Sequence, residues 1–471
     1  MTFFKHLITV AMLLVSCFTL PAQEVIYSRY DKFDYRTDAY SVVGMCGGKL
    51  FTYVNGTDGA RLDVYDDAMT KTATVMLDFF PQRIYHVRFV PYTDKIMVLY
   101  QALESNKVIQ YVAMLDSKGL LKNKPTELSA TRTGIFGATR DYFSIAISEN
   151  KKWILVYTAK DKKNGIEVEG KWLDDNGNLL KKSTARFETE NVPEHGEVNI
   201  ANDGSVYMAA FTPIGALDYA DQYWILVLKP GATAIEAKEM PLGDRFATGG
   251  YSRIDNVNGK VYFGGFYSTS RNGRFSGFIY AAYDVTSGTF SNTRFIPFDE
   301  GLVADAREKR KGYFDKYLVR QIIVKNDGGF VLIAEEQYVT TRSNFTPGFG
   351  YYSFYSPAMN SSVREFHYND IMTVAYNKDG NREWSTFVPK QQYSQEDDGV
   401  FSSFALLNSG GTLGFLYNDF DANHSRIQLA TLSPEGKMEV HPVPAEGNDF
   451  PDWLPKSAKQ VSSRVMVVPC F

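Results

Sequence analysis

An all-β fold is the fold class that the sequence predicts, as a single closed ring of seven four-stranded antiparallel blades, with six or eight blades as alternatives. Three observations predict it. Aromatic residues make up 14% of the chain, with 33 Phe and 30 Tyr, and aromatic residues favour strands. No long segment has the 3.6-residue periodicity of an amphipathic helix. A strand–turn–strand unit recurs at intervals of about 46 to 56 residues, and four-stranded units at this period are typical of propeller blades.

The first 22 residues have the pattern of a secretory signal peptide. Lys5 precedes an apolar stretch from Leu7 to Leu20, and small residues follow near Ala22. The sequence therefore predicts export, with residues 23–471 as the mature chain in the periplasm, at the outer membrane or outside the cell of a Gram-negative bacterium. No later segment has 18 consecutive apolar residues, so no transmembrane segment is expected.

A lipid anchor is the alternative reading of the N-terminus. The run Leu14-Val15-Ser16-Cys17 resembles a bacterial lipobox, which would put a lipid on Cys17 and tether the protein to a membrane. The apolar residues Phe18-Thr19-Leu20 that follow it favour the soluble form, because a lipoprotein usually continues with a polar tether.

The first half of each repeat is a hairpin with a tight turn. Residues that accept a positive φ fill the turns, as in Asn-Asp-Gly-Gly and Ser-Gly-Gly. The seven copies are residues 41–54, 87–100, 144–157, 198–211, 253–266, 321–334 and 403–416.

A second hairpin follows each first one after a variable link. It reads as an apolar strand, a turn of Asp, Asn or Ser ending in Gly, and a more polar strand, as in YAAYDVTSGTF. Middle strands such as WILVY are apolar almost throughout, as expected for burial on both faces, whereas fourth strands such as REWSTFVPK carry charge, as expected at a sheet edge. Residues 24–28 and 461–469 are extra apolar strands, and one or both are expected to complete a shared blade that closes the ring.

A few hairpins resemble known propeller repeats. Ala282–Gly288 and Ala375–Trp384 are similar to the hairpin motif of quinoprotein-type propellers, and Val261–Gly265 resembles the double-glycine strand of a kelch repeat. Each match covers one or two repeats. The resemblance implies the fold and strand order of an exported bacterial β-propeller repeat protein, and it implies no catalytic residue.

Several kinds of chemistry are not supported by the sequence. Lys and Arg number 50 against 54 Asp and Glu, a net charge of −4, which argues against nucleic acid as a partner. The three cysteines match no zinc motif, and the six histidines show no HxH or HExxH spacing. No GxSxG elbow, P-loop or dinucleotide fingerprint occurs, so no metal or cofactor is predicted.

Two cysteines remain after removal of the signal peptide. Cys46 belongs to the first hairpin and Cys470 directly follows the closing strand, in an oxidising compartment, so a disulfide between them is a candidate closure of the ring. The alternative is a small buried side chain at Cys46 and a free thiol at Cys470.

One face of the ring is expected to carry the binding residues. In a four-stranded antiparallel blade, the first-to-second and third-to-fourth turns lie on one face, and the second-to-third and blade-to-blade links lie on the other. The short turns are of the first kind and the long links of the second. Two insertions, residues 297–317 and 338–369, should therefore be neighbours on the link side. The aromatic and arginine candidates on this face are Phe349, Tyr351, Tyr352, Tyr355, Arg140, Arg245, Arg271 and Arg307. The alternatives are that the aromatics form a satellite core and that the charged run around Arg307 is a solvated helical turn.

The sequence therefore favours an exported binding or scaffold protein. The long links lie on one face of the ring, and the sequence contains no catalytic motif. These observations predict that the protein engages a glycan, a peptide or an envelope protein through the loop-rich face. The alternative is a polysaccharide lyase or glycoside hydrolase of propeller fold, which would need carboxylates converging in the mouth of the ring.

Overall fold

The computed structural model describes residues 24–31, 34, 38–132, 142–190, 193–214, 219–308, 314–343, 362–421, 424–444 and 452–470. Within these ranges the protein is all-β, as predicted, and every strand pair is antiparallel. The helical elements described there are α1 (Glu300–Glu308) and a short 3-10 turn at Pro455–Ser457. Neither of them is long enough or apolar enough to cross a membrane.

Five sheets each form one blade by themselves. Blade 1 contains β1 (Ala39–Cys46), β2 (Lys49–Gly56), β3 (Gly59–Tyr65) and β4 (Lys71–Met76). Blade 2 contains β5 (Ile84–Pro91), β6 (Lys95–Glu104), β7 (Lys107–Asp116) and β8 (Thr126–Arg132). Blade 3 contains β9 (Ser144–Ile147), β10 (Ile154–Lys162), β11 (Gly165–Leu173) and β12 (Leu179–Glu188).

A nine-stranded sheet follows blade 3. Its strands are β13 (Glu194–Ile200), β14 (Val206–Ile214), β15 (Tyr219–Leu228), β16 (Glu236–Glu239), β17 (Phe246–Thr248), β18 (Tyr251–Asp255), β19 (Lys260–Ser268), β20 (Gly277–Asp284) and β21 (Thr289–Pro297). Blade 4 contains β22 (Tyr317–Val324), β23 (Phe330–Ser343), β24 (Ser362–Tyr376), β25 (Arg382–Val388) and β26 (Gln392–Gln395). Blade 5 contains β27 (Ala405–Asn408), β28 (Leu413–Asp421), β29 (His424–Leu432) and β30 (Met438–Pro442), and β31 (Lys459–Gln460) and β32 (Met466–Val467) form a last small hairpin.

The predicted number of blades is wrong. The sequence predicts seven separate blades, or six or eight, whereas five blades stand as sheets of their own in the described residues. The cause is β17, which pairs with β15 on one side and with β19 on the other and so merges two four-stranded meanders into the nine-stranded sheet. Its three residues lie in a link that carries no strand pattern in the sequence.

The turns between the first and second strands of neighbouring units are joined to one another on one face of the ring, which we call the turn face. The Gly47 N–H donates to the Thr93 carbonyl over 2.8 Å, across blades 1 and 2. The Asn150 N–H donates to Asn202 Oδ1 over 3.0 Å, and the Asn202 N–H to Asn256 Oδ1 over 2.8 Å. These bonds close the turn face tightly. The opposite face, the link face, carries the connections between sheets.

The core lies between neighbouring sheets. Tyr280 of the nine-stranded sheet stacks on Phe330 of blade 4 with ring centroids 4.0 Å apart, at the centre of a cluster of buried residues from both sheets. Gly264, in the segment that resembles a kelch strand, lets these sheets approach, because a Cβ there would lie 2.2 Å from Ile322 Cδ1. Each sheet therefore buries its faces only through its neighbours, as in other stacked repeat architectures.

The chain ends close the ring by packing, and not by completing a blade as predicted. The hairpin β31–β32 is a separate two-stranded sheet. Val461 and Val467 pack against blade 1, and Met466 packs against blade 5. The segment 24–31 contains no strand, although Val25 and Tyr27 join the cluster on blade 5.

Candidate binding site on the arm of blade 4

The structure describes three of the eight aromatic and arginine candidates, Arg245, Arg271 and Arg307. Cys17, Arg140, Phe349, Tyr351, Tyr352 and Tyr355 lie outside the described residues. Arg245 lies with its guanidinium 4.4 Å from the centroid of the Phe295 ring, and Arg271 is exposed in the loop after β19. Arg307 lies in α1, and the structure describes the backbone of this residue.

The helix of the first insertion packs at the outside of the ring, whereas Lys316, near the end of this insertion, contacts Tyr338 of the second one, as expected for neighbouring insertions. Asp299 caps α1, because its Oδ1 accepts the Leu302 N–H over 2.9 Å, and its carboxylate also binds Arg382 at 2.7 and 2.8 Å. Ser385 donates to Asp305 over 2.7 Å. Since Arg382 and Ser385 belong to β25, the outer strand of blade 4, this helix is fixed away from the ring axis.

Cys46 and Cys470 are both free in the structure, which corresponds to the alternative to the candidate disulfide. Cys46 is the last residue of β1 and is buried, with Sγ 3.9 Å from the Thr93 carbonyl oxygen. The Cys470 thiol interacts electrostatically with Tyr40, the second residue of the same strand. Six residues of strand separate these two positions by roughly 20 Å, and a disulfide needs Cα atoms within about 7 Å.

The second insertion forms an arm that projects from the link face. β23 and β24 have 14 and 15 residues, and their distal parts, residues 337–343 and 362–368, pair with each other beyond the blade. β26 adds a third strand to this hairpin through its pairing with β24. The arm is thus three strands wide, and it is the longest extension of any described sheet beyond its blade.

Strand register places two rows of side chains on one face of the arm, which we call the arm face. Tyr338 pairs with His367 and His367 with Tyr393, which gives an aromatic row. Two residues further along each strand, Thr340, Glu365 and Gln395 form a polar row. Because side chains alternate along a strand, both rows point to the same side.

The rings of the aromatic row lie against one another. His367 stacks on Tyr338 with centroids 4.5 Å apart and an interplanar angle of 13°, and it lies 5.2 Å from the ring of Tyr393. Lys316 Nζ is 3.5 Å from the centroid of the Tyr338 ring, a cation–π contact. Tyr393 is 49% exposed, so an apolar ring surface of this row is accessible from solvent.

Glu365 is the centre of the polar row. Its carboxylate accepts hydrogen bonds from Thr340 Oγ1 at 3.1 Å, from the Tyr393 hydroxyl at 2.9 Å and from Gln395 Nε2 at 3.4 Å. Thr340 Oγ1 is also 3.3 Å from His367 Nε2. Since the threonine hydroxyl donates its one proton to Glu365, the His367 nitrogen is the donor to it, which fixes the Nε2–H form of the ring.

The opposite side of the arm is anchored in the ring. Phe366, Tyr368 and Gln392 point that way, and all three are buried. The Tyr368 hydroxyl accepts from Gln337 Nε2 at 2.9 Å and from Lys456 Nζ at 2.8 Å. The arm face is therefore supported by a fixed layer beneath it, as a binding surface requires.

A buried ion-pair network lies at the base of the arm. Glu335 Oε1 is 2.7 Å from Lys390 Nζ, and both side chains are 0% exposed. Glu335 Oε2 accepts from Arg320 Nη2 and from Ser403 Oγ, each at 2.8 Å. Burial lowers the pKa of Lys390, and the adjacent Glu335 carboxylate opposes that shift. A carboxylate that is paired with Lys390, bonded by Arg320 and Ser403 and closed to solvent links blade 4 to the segment before blade 5 and is not accessible to a substrate.

The arm face combines aromatic and hydrogen-bonding groups. Its described residues offer stacked rings, an imidazole N–H, amide groups and one carboxylate, Glu365. No group of three or more His, Cys, Asp or Glu side chains within the described ranges has the arrangement of a metal site.

Sequence reasoning missed Tyr338, Glu365, Tyr393 and Gln395 as binding residues. A signal for them exists in the alternation of Tyr338 with Thr340, Glu365 with His367 and Tyr393 with Gln395. It becomes visible only when the register of the three strands is known, because Tyr393 lies outside the insertion that the sequence marks.

Comparisons with known proteins place the chain in no family. No family model matches it, and no curated protein matches it. Among solved structures, a prolyl endopeptidase is similar over 85% of this chain and 55% of its own, with 8% identity and a TM-score of 0.37. Prolyl oligopeptidase B from Galerina marginata is similar over 85% of this chain and 56% of its own, with 9% identity and a TM-score of 0.36.

An ulvan lyase of polysaccharide lyase family PL25, bound to a glucuronate–sulfated rhamnose ligand, is similar over 75% of this chain and 81% of its own, with 9% identity and a TM-score of 0.38. The chain spans little more than half the length of the peptidases that it matches. These likenesses are distant and do not extend to activity.

Proposed function

We propose that this protein is an exported propeller that binds a carbohydrate through the arm face. The observation that carries the proposal is the pair of adjacent rows, one of rings and one of hydrogen-bonding groups. Rows two residues apart on a strand are separated by about 6.6 Å, so a sugar ring stacked on Tyr393 brings its rim hydroxyls to Glu365 and Gln395. Stacking against the apolar face of a sugar combined with hydrogen bonds to its hydroxyls is the use for which an amphipathic aromatic row is suited.

The arm also explains why a carbohydrate fits better than a peptide strand. A peptide that extends a sheet needs a free strand edge and pockets for alternate side chains. The arm has such edges at β23 and β26, but the two rows project from its face, and the polar row surrounds Glu365 with three donors that a sugar hydroxyl can replace. A glycoside hydrolase requires two carboxylates at a defined distance, whereas the described residues of this face contain one carboxylate, Glu365.

The test is carbohydrate binding by variants of the aromatic row. Wild-type protein, Tyr393→Ala, Tyr338→Ala and the control Tyr30→Ala are compared on a panel of soluble neutral, uronic-acid and sulfated polysaccharides, by affinity electrophoresis and then by calorimetry. Tyr30 is 75% exposed and lies outside the arm, so Tyr30→Ala removes a surface ring without changing the arm. We expect each arm variant to weaken binding about 10-fold, a loss of roughly 1.4 kcal/mol, with no change for Tyr30→Ala.

Two results would contradict the proposal. One is that no polysaccharide of the panel slows the migration of the wild-type protein. The other is that the two arm variants bind as tightly as wild type. Release of reducing ends or unsaturated products from a bound polysaccharide would instead assign the enzyme alternative. Near-ultraviolet circular dichroism of each variant shows whether the arm has kept its packing.

A further inference from the structure

Three cations converge near the ring axis, on the side of the turn face. Lys459 comes from the closing hairpin, Arg88 from β5 and Lys151 from the turn between β9 and β10. Lys459 Nζ donates to the Val43 carbonyl over 2.8 Å, and Lys151 Nζ donates to the Pro91 carbonyl over 2.8 Å. The charges of Arg88 and Lys151 act on Lys459, so the three cations lie near one another, where β1 contacts β5, the first strand of the next blade.

Gly44 lies beside Lys459 and packs closely against β5. A Cβ at Gly44 would lie 3.2 Å from Pro91 Cγ, a tight approach, and 3.8 Å from Lys459 Nζ, an ordinary contact. Its φ of +116° is also a conformation that side-chain-bearing residues rarely adopt. The glycine therefore lets β1 and β5 approach each other at the position where the Lys459 ammonium lies.

Lys151 is held in a strained conformation. Its φ is 56°, and its N–H bonds to the Ser148 carbonyl, as the Gly204 N–H bonds to the Ala201 carbonyl in the corresponding turn of the next sheet. A glycine adopts this left-handed conformation freely, whereas a lysine is strained in it. Strain of this kind is retained where the surrounding structure fixes it, and here the Lys151 ammonium is held by the Pro91 carbonyl of β5.

The positive charge of the cluster is not balanced. Among the described residues, no ion pair joins Lys459, Lys151 or Arg88 to a carboxylate. Burial, followed by the charges of Arg88 and Lys151, lowers the pKa of Lys459 to about 8, and burial lowers the pKa of Lys151. Cations that are partly removed from water are costly unless an anion accompanies them.

We propose that Lys459, Lys151 and Arg88 form an axial binding site for an oxyanion, namely a carboxylate or sulfate group. Each ammonium has three donors and gives one to a backbone carbonyl, and the guanidinium of Arg88 adds a planar set that suits two oxygens of one anion. The site is separate from the arm face, which projects from the opposite side of the ring, so it does not rest on carbohydrate binding by the arm.

The experiment is titration of the purified mature protein with sodium sulfate and, separately, sodium acetate, by calorimetry at constant ionic strength set with sodium chloride. The variants are Lys459→Met, Lys151→Gly and the matched control Lys152→Met, an exposed lysine one residue along the same turn. Lys151→Gly removes one cation and relieves the strain, so this variant is expected to fold at least as well as wild type.

We expect wild type and Lys152→Met to bind sulfate or acetate, and Lys459→Met and Lys151→Gly to bind at least 10-fold more weakly. Binding of sulfate alone assigns a tetrahedral oxyanion, and binding of acetate assigns a carboxylate. The proposal is overturned if wild type binds neither anion above the chloride background, or if Lys459→Met and Lys151→Gly bind as tightly as wild type. Melting temperatures measured in chloride alone separate a loss of binding from a loss of fold.

Discussion

Glu335 shows how differently one residue can be read from sequence and from structure. It lies next to Glu336 near the end of an apolar strand, a position where a carboxylate usually marks the exit of the strand to water. In the structure it is fully buried and bound by Lys390, Arg320 and Ser403. The sequence cannot supply this outcome, because Ser403 follows Glu335 by 68 residues and lies in the link that leads into the next blade of the ring.

Removal of Lys390 is predicted to be strongly destabilising. Lys390→Ala leaves the buried Glu335 carboxylate without its nearest cation, and breaking a buried pair in this way costs about 3–5 kcal/mol. The free energy of unfolding, measured by urea denaturation, should fall by this amount. Lys229→Ala is the control, since Lys229 and Glu236 form a pair that is 66% and 60% exposed, and such pairs contribute about 0–1 kcal/mol. Equal effects of the two substitutions would refute the structural role of the network.

At the scale of elements, local patterns predicted the hairpins well and the connections poorly. The turn sequences with Asn, Asp and Gly become the tight turns of the turn face, because their residues accept the required backbone angles. The arm and β17 depend on pairing between segments far apart in the chain, which has no local signal. The candidates Tyr351 and Tyr352 lie beyond the last described residue of β23, whereas Tyr338 and His367 lie within the paired part of the arm.

The helix α1 offers a prediction at this scale. Asp299→Ala removes both the N-cap and the carboxylate that binds Arg382, and we expect a loss of about 1–2 kcal/mol in the free energy of unfolding. Asp299→Asn keeps a capping oxygen and should lose less. Glu300→Ala, an exposed change in the first helical turn, is the control. Hydrogen exchange of the amides of Leu302 and Val303 measures the cap directly, and unchanged protection in Asp299→Ala would contradict this account.

At the scale of the whole molecule, the sequence predicted a ring but not how its sheets divide. Repeating hairpins of similar length require neighbours to bury both faces, which leads to a closed ring. Whether two neighbouring units stay separate depends on a three-residue strand, Phe246–Thr248, whose Ala247 pairs with both Ala220 and Tyr267. Closure likewise depends on tertiary packing, since β31–β32 contacts blades 1 and 5 without joining the sheet of either.

Lys459 connects ring closure to pH. Its pKa is lowered to about 8 from an ordinary value of 10.5, so between these values the unfolded chain binds more protons than the folded ring. The free energy of unfolding therefore contains a penalty that is complete below pH 8 and declines as the pH rises towards 10.5. We predict that wild type gains up to about 1.4 kcal/mol per pH unit relative to Lys459→Met between pH 8 and 9.5, in chloride buffers that lack oxyanions.

The measurement is urea denaturation at several pH values in that range, with Lys152→Met as the control whose curve should run parallel to that of wild type. The range stops at pH 9.5 because buried tyrosines such as Tyr53 and Tyr280, whose pKa values are raised by burial, destabilise the fold above the ordinary tyrosine pKa. Parallel curves for wild type and Lys459→Met would show that Lys459 is not buried in the closed ring. Added sulfate should flatten the wild-type curve, because an anion bound beside the ammonium restores its ordinary affinity for the proton.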